Sequence, residues 1–236
     1  MIVTENAVYL HQFKTGGTWM RDVLNPIVLY EQAHAIPTRP LSKPVFVVVR
    51  NPWAWYVSMY NFLFHGSNIM PANKFDDPLL KAFGHAPTFS LFIKTLCSPP
   101  ADFKVKLRNY VRIQKLTDKL STAPRGKHSD PLYIPQSSSI MTEHWLDNNK
   151  SFYQNQCDLF MQYATDIGKT ETLKTDLTLM LNKVGDLTRE VNYLLDTHPS
   201  ANVGLAVEYR DFYDAELLDI IAEHHTDIIS KFSYKV

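Results

Sequence analysis

The sequence has few cysteines and no excess of charge of either sign. Only two of its 236 residues are cysteine, too few for a disulfide framework or a thiolate zinc site, so we expect Cys97 and Cys157 to be reduced thiols. Its 24 basic residues match 24 acidic ones, which leaves no global basic field to hold nucleic acid or an anionic membrane. A bound anion must therefore be met by a few local charges.

Long apolar runs are also missing. The longest strongly apolar run, Val45–Val49, is far too short to span a bilayer, and residues 1–7 lack the basic and apolar regions of a secretory signal. We therefore expect a cytoplasmic protein without a membrane anchor. Hydrophobic residues nevertheless make up 45% of the chain, which excludes global disorder and predicts a sizeable core.

The order of the expected elements indicates an α/β protein. A short strand, a turn and a short helix occupy residues 7–24. The clearest strand, residues 44–50, is apolar on both faces, as in a buried parallel sheet. The Asn51-Pro52 pair after it is a helix start signal, and that helix should run to about Phe64. The pattern predicts a central parallel sheet with helices on both faces.

The remainder of the chain is expected to complete one domain over residues 1–236. Residues 65–150 are rich in proline and less regular, which predicts an insertion that shapes a pocket or lid. Within this insertion the periodicity favours helices over residues 90–96 and 105–120. Beyond it, the periodicity favours helices over residues 171–184 and 214–232 and a strand over residues 159–167.

The turn after the first strand has the composition of an anion site. In Lys14-Thr15-Gly16-Gly17-Thr18 the glycines let the backbone turn tightly and gather its N–H groups. The following helix, with Thr18 as its expected N-cap, adds partial positive charge. Lys14 adds a full charge, and both threonine hydroxyls can donate hydrogen bonds. We expect a phosphate or sulfate site; a helix entry needing glycine only for its turn is the alternative.

A second cation closes the most buried strand. Arg50 ends that strand at its carboxyl side, where open α/β sheets bind ligands. Arginine suits bidentate phosphate contact, and a charge placed there needs an anionic partner, either a ligand or a local carboxylate. Ser58 falls about two turns into the next helix. The strand ends in arginine where metal-dependent NTPases carry a magnesium-binding aspartate, which favours a metal-free site.

Together these segments resemble the sulfotransferase superfamily that uses 3′-phosphoadenosine 5′-phosphosulfate (PAPS). Lys14–Trp19 is similar to its 5′-phosphosulfate loop, in the K-T-G-G-T form of glycan sulfotransferases. Val47–Trp53 with Ser58 resembles its 3′-phosphate motif, R-x-P-W followed by serine. Asp166–Leu173 resembles D-x-I-G-R-x-E-x-L, and Asp227–Tyr234 resembles the ending D-I-x-x-F-G-Y. The similarity covers roughly the first 65 and last 75 residues.

Three positions depart from the family pattern. Phe13 stands in place of a frequent proline, Lys169 in place of arginine and Ser233 in place of glycine. None of these changes removes a charge or hydroxyl that the chemistry needs. They therefore affect the choice of subfamily and not the resemblance to the superfamily.

The resemblance implies a P-loop-like enzyme that transfers a sulfuryl group from PAPS to a hydroxyl acceptor, with a carbohydrate as the expected class. PAP would be the product, and no metal, nucleic acid or membrane partner is expected. Lys14 would be catalytic. The expected donor contacts are Lys14, Thr15, Gly16, Gly17, Thr18, Trp19, Arg50 and Ser58. The alternatives are a kinase-like nucleotide-binding enzyme and a non-catalytic PAP-binding module.

The resemblance also implies a general base between the two donor motifs, where glycan sulfotransferases carry a histidine. His34 is the only histidine in that stretch, and a neutral histidine near pH 7 suits removal of an acceptor proton. We expect the strand after the first helix to run parallel to the first strand and to bring His34 near the loop. Glu31 and His65 are the alternatives, whereas His11 suits a core role.

Overall fold

A computed structural model describes residues 1–31, 36–37, 41–66, 78–121, 133–134, 142, 144–199 and 208–236. His34, the expected base, lies outside these residues. Within them, no helix has the length and apolar character needed to cross a bilayer.

The strands are β1 (Ile2–Val3), β2 (Val8–His11), β3 (Tyr30–Glu31), β4 (Ile36–Pro37), β5 (Val45–Val49), β6 (Tyr133–Ile134) and β7 (Asp166–Lys169). The helices considered below are α1 (Gly17–Leu24), α2 (Pro52–Phe64), α3 (Pro78–Phe83), α4 (Phe89–Cys97), α5 (Ala101–Ser121), α6 (Phe152–Met161), α7 (Leu173–Val184), α8 (Arg189–Thr197), α9 (Ala215–His224) and α10 (Thr226–Phe232). Short 3₁₀ helices cover Asn25–Ile27, Thr170–Thr172 and Tyr209–Phe212.

Five strands form one mixed sheet in the order β3-β1-β2-β5-β7, and β4 pairs with β6 separately. β2, β5 and β7 are parallel, whereas β1 pairs antiparallel with β2 and with β3. The α/β class is therefore confirmed, and the sheet is mixed where a parallel sheet was expected. A tight turn joins β1 to β2, with the Thr4 N–H donating to the Ala7 carbonyl at 3.0 Å, and so short a link permits only antiparallel pairing.

The structure divides into two compact units, and each is built from three separate stretches of chain. Unit 1 comprises Met1–Arg50, Pro124–Gln136 and Cys157–Asn202, and unit 2 comprises Asn51–Ala123, Ser137–Gln156 and Val203–Val236. This division leaves open whether residues 1–236 act as one functional domain, which stays a prediction.

Unit 1 packs α1, α7 and α8 against one face of the mixed sheet. Phe46 and Val48 of β5 point to this face, in keeping with the two-residue period of a strand. All five residues of β5 are buried, as its continuous apolar run predicts. The other members of this core are Ile2, Ala7, Tyr9, Met20, Val23, Leu24, Leu173, Leu177, Met180, Leu181, Val191 and Leu195.

A buried carboxylate ties the first two strands to the end of α7. Asp186 accepts hydrogen bonds from the Thr4 hydroxyl at 2.5 Å, the Asn6 amide at 2.8 Å and the Tyr9 phenol at 3.2 Å. Burial and the nearby charge of Asp186 raise the pKa of Tyr9. Because these donors satisfy the carboxylate, the buried charge is tolerated, and it fixes the turn between β1 and β2.

Unit 2 is helical and has an aromatic core. The Trp55 ring stacks on Tyr153 with centroids 4.6 Å apart, and Trp145 meets Phe152 edge-on at 5.0 Å. Trp55 and Tyr56 are fully buried, so both are core residues. Cys97 of this unit and Cys157 of unit 1 are both free thiols, as expected.

Two segments differ from their expected secondary structure. The expected strand over residues 159–167 is wrong: α6 covers its first three residues, and only its last two are extended, as the start of β7. A short apolar run has the same pattern in a buried helix as in a buried strand. The expected helix over residues 214–232 is interrupted at His225 between α9 and α10.

The interruption places a buried histidine among polar groups. His225 is fully buried, its Nε2 lies 3.1 Å from the Tyr56 phenol oxygen, and the Ser151 hydroxyl lies 3.3 Å from the same nitrogen. Burial, with a smaller contribution from His224, lowers the pKa of His225 to about 3. The neutral ring is therefore the form that the folded protein holds.

We predict that His225 makes the protein less stable in acid. Its folded pKa of about 3 lies below its ordinary value of 6.5, so the unfolded chain binds the extra proton between these values. The contribution of the neutral His225 ring to the free energy of unfolding is complete above pH 6.5. It is lost as the pH falls toward 3, by up to about 1.4 kcal/mol per pH unit. Urea unfolding of wild type and His225→Gln between pH 4 and 7 should show a shallower acid slope in the variant.

The matched control is His85→Gln, because His85 is an exposed histidine of the same unit. It should leave the acid slope unchanged. Identical slopes for wild type and His225→Gln would contradict the assignment.

Candidate anion-binding site

Three parallel strands of unit 1 end at the same edge of the sheet. The Gln12 side-chain amide, just after β2, donates to the Val48 carbonyl at 3.0 Å. The Thr170 hydroxyl, just after β7, donates to the Val49 carbonyl at 3.1 Å. These bonds hold the segments after β2, β5 and β7 together where open α/β sheets bind ligands.

The loop after β2 has an unusual backbone. Lys14 has a φ angle of 62° and Gly16 one of 83°, which places both in the left-handed region that non-glycine residues seldom adopt. Between them, Thr15 is fully buried and its hydroxyl donates to the Gln12 carbonyl at 3.0 Å. A hydrogen bond within the loop therefore holds the turn, and the Thr15 hydroxyl is the donor of that bond.

Both glycines of the loop lie where an added Cβ would crowd a side chain, and Gly16 also has a positive φ of 83°. Gly16 occupies the N-cap position of α1, where Thr18 was expected, and a Cβ on Gly16 would lie 2.6 Å from Leu173 Cδ2. A Cβ on Gly17 would lie 2.3 Å from Nδ1 of the buried His11 ring. Packing therefore accounts for the two adjacent glycines. Helix α1 begins directly after the loop, with its N-terminal N–H groups at this end.

Two cations meet at this loop. Nη1 of Arg50, the residue after β5, donates to the Lys14 carbonyl at 3.0 Å. Both side chains belong to half-buried residues. Burial, and then the charge of Arg50, lower the pKa of Lys14 to about 8. Two positive groups held close in a partly dehydrated site repel each other, and a bound anion relieves that repulsion.

The other predicted donor residues take different positions. Trp19 lies on the first turn of α1, and its indole N–H points to the His198 carbonyl at 3.4 Å. Thr18, also on this turn, is half-buried. Ser58 is a half-buried residue of α2 in unit 2, seven residues after Asn51, whose side chain caps that helix. The pairing of Ser58 with Arg50 on one phosphate stays a prediction.

The structure places the alternatives to His34 as follows. Glu31 is exposed on β3, the outer strand beyond β1, and its Oε1 lies 3.9 Å from Arg21 Nε. β3 therefore runs in the same direction as β2, as expected, but it does not lie beside β2, because β1 stands between them and pairs antiparallel with both. The adjacent parallel neighbour of β2 is β5. His65 is exposed at the end of α2. His11 lies buried against Gly17, consistent with a core role.

Gln12 and Thr170 were missed as parts of the site. Gln12 lies just before the glycine loop, and Thr170 lies within the Asp166–Leu173 segment that resembles D-x-I-G-R-x-E-x-L. The position of each next to or within a motif was the available signal. Among the described residues, no group of three or more histidine, cysteine or acidic side chains is arranged to hold a metal ion.

The chain was compared with protein-family models, curated proteins and solved structures, and nothing in these three comparisons matches it. The function of this chain is therefore inferred from the loop, Arg50 and the sheet edge that carries them.

We predict that Gly17→Ala destabilises the protein through His11. Alanine normally favours a helix over glycine by about 0.5–1 kcal/mol, but here the added methyl group would overlap the His11 ring. We expect a net loss of about 1–3 kcal/mol, as for overpacked cores. The double variant His11→Ala/Gly17→Ala should be more stable than the sum of the single effects implies, as measured by urea unfolding.

Gly185→Ala provides the control, because nothing lies within 4 Å of the position of its Cβ. Its effect should add to that of His11→Ala without coupling. Additive behaviour of Gly17→Ala with His11→Ala would contradict the proposed contact.

Proposed function

We propose that this chain is a PAPS-dependent sulfotransferase with a P-loop-like three-layer fold and a hydroxyl acceptor, with a carbohydrate as the expected class. The observation that carries the proposal is the convergence of Lys14 and Arg50 at the carboxyl edge of parallel strands, joined by a 3.0 Å hydrogen bond. These residues belong to the two segments that resemble the donor motifs of that superfamily.

In the proposed reaction an acceptor hydroxyl oxygen attacks the sulfur of PAPS in line with the leaving group. The new oxygen–sulfur bond forms as the bond from sulfur to the bridging oxygen breaks, and the electron pair stays on the departing 5′-phosphate of PAP. Positioning and charge stabilisation dominate such transfers. The Lys14 ammonium and the first N–H groups of α1 would meet the developing negative charge, and His34 would accept the acceptor proton.

The residues at the ends of β5 and β7 also favour a sulfotransferase over a magnesium-dependent kinase-like enzyme. Strand β5 is followed by arginine and β7 ends in Lys169, so cations stand where a magnesium enzyme needs carboxylates. Thermal shift with PAP, and separately with ATP plus Mg²⁺, distinguishes these functions. PAP should stabilise the protein; stabilisation by ATP plus Mg²⁺ alone would contradict the proposal. PAP binding without turnover of PAPS on a panel of hydroxyl acceptors would favour a non-catalytic module.

We predict that Lys14→Ala lowers sulfuryl transfer by about 10²-fold or more, because its charge matters most when the leaving oxygen becomes negative. PAP affinity should fall much less. Turnover and calorimetric PAP binding are measured on the same preparation. Lys174→Ala, which removes an exposed lysine of the same unit, should leave both unchanged. Near-normal turnover of Lys14→Ala would reject the catalytic role.

Ser58 gives a separate test of the 3′-phosphate assignment. Ser58→Ala should weaken PAP binding roughly two- to tenfold, the effect of one lost hydrogen bond, without altering the affinity for AMP, which lacks the 3′-phosphate. Calorimetry with both nucleotides measures the difference. Ser98→Ala, at an exposed serine of the same unit, is the control. Equal losses for both nucleotides would reject a contact between Ser58 and the 3′-phosphate.

A further inference from the structure

We propose that Arg50 is a positioning residue for Lys14: its guanidinium holds the left-handed turn of the loop and so directs the Lys14 amine at the bound anion. This role is additional to the 3′-phosphate contact that the sequence motif implies. Its catalytic meaning rests on the proposed function, but the loop contact itself can be tested without any donor nucleotide.

The first support is the atom that Arg50 contacts. Its Nη1 donates to the main-chain carbonyl of Lys14, so the bond acts on the backbone of the loop. That backbone has a φ of 62° at Lys14, a conformation that is unfavourable for a side chain with a Cβ. A charge-assisted hydrogen bond at this carbonyl favours the turned conformation over a relaxed one.

The second support is the shape of the guanidinium. Arginine has five donors in a planar fork, and the bond to Lys14 engages one terminal nitrogen. Because the fork carries several donors, one arginine is able to bind a main-chain carbonyl and an anionic oxygen together. Such double contact would link the position of the loop to occupancy of the site.

The third support is the electrostatic relation of the two cations. The ionisable groups on the neighbouring elements are Tyr9 and His11 on β2, Arg21 and Asp22 on α1, Arg50 after β5, Asp166, Lys169 and Glu171 on and just after β7, and Lys174, Asp176 and Lys183 on α7. Among them Arg50 is the group whose charge lowers the pKa of Lys14, after the larger effect of burial. The charge of Arg50 therefore acts on the Lys14 amine, while its Nη1 bonds the Lys14 carbonyl.

Two measurements on the full-length protein without nucleotide test the proposal. Competitive acetylation with mass spectrometry gives the pKa of the Lys14 amine, and hydrogen exchange gives the protection of residues 12–18. Arg50→Gln should raise the pKa of Lys14 from about 8 toward, but not to, its ordinary value of 10.5, because burial remains. The same variant should increase exchange in the loop several-fold. An unchanged pKa together with unchanged exchange would overturn the proposal.

Arg21→Gln is the matched control, because Arg21 is an exposed arginine of the same unit that lies beside Asp22. It should alter neither readout, and equal changes in both variants would overturn the specific role of Arg50. If Arg50→Gln fails to fold, Arg50→Lys is compared with wild type. Lysine lacks the fork, so loop exchange should still rise; unchanged exchange in Arg50→Lys would equally overturn the proposal.

Nucleotide binding separates this proposal from the proposed function. If Arg50 positions Lys14, Arg50→Gln should weaken binding of AMP as well as PAP, whereas a residue that only contacts the 3′-phosphate would spare AMP. Loss of PAP affinity alone would overturn the positioning role and leave the sulfotransferase assignment standing. A shifted Lys14 pKa in a protein without sulfuryl transfer would support the loop contact and reject the enzymatic function.

Discussion

The site depends on holding two positive side chains side by side in a partly buried place. Such an arrangement is unfavourable in itself, because burial and the charge of Arg50 both oppose the charged form of Lys14. The surrounding structure opposes relaxation of the loop through several contacts: the Gln12 amide on the Val48 carbonyl, the Thr15 hydroxyl on the Gln12 carbonyl, and Arg50 on the Lys14 carbonyl. The parallel strands beneath the loop supply a rigid frame. The placement of the two cations therefore depends on the fold of the sheet.

Local signals in the sequence were sufficient for the elements that carry the site. Strand β5 was predictable because its five apolar residues form one continuous run, and the start of α2 because Asn51-Pro52 is a helix entry signal. The antiparallel β1 was not, because a two-residue strand has no periodicity. The break at His225 was not predictable either, since its cause is a set of hydrogen bonds to Tyr56 and Ser151, far away in sequence.

For the site itself, residue types were easier to predict than their roles. Lys14 and the glycines were recognised from composition and order, but the reasons for the glycines, Leu173 and the His11 ring, are contacts in space. Thr15 was expected to donate to a ligand, and its hydroxyl instead secures the loop. The Arg50 bond to a main-chain carbonyl has no signature in the side-chain pattern, because any residue offers that acceptor.

The interleaving of the two units has a consequence for how the chain is made. The chain alternates between them in six segments, and β5 acquires its neighbour β7 only after more than a hundred further residues have been synthesised. An emerging chain therefore carries β5 with one edge open while much of unit 2 leaves the ribosome. Pairings of this sequence separation slow folding and expose strand edges to association, so biosynthesis would gain from a chaperone that shields this edge until the later segments arrive.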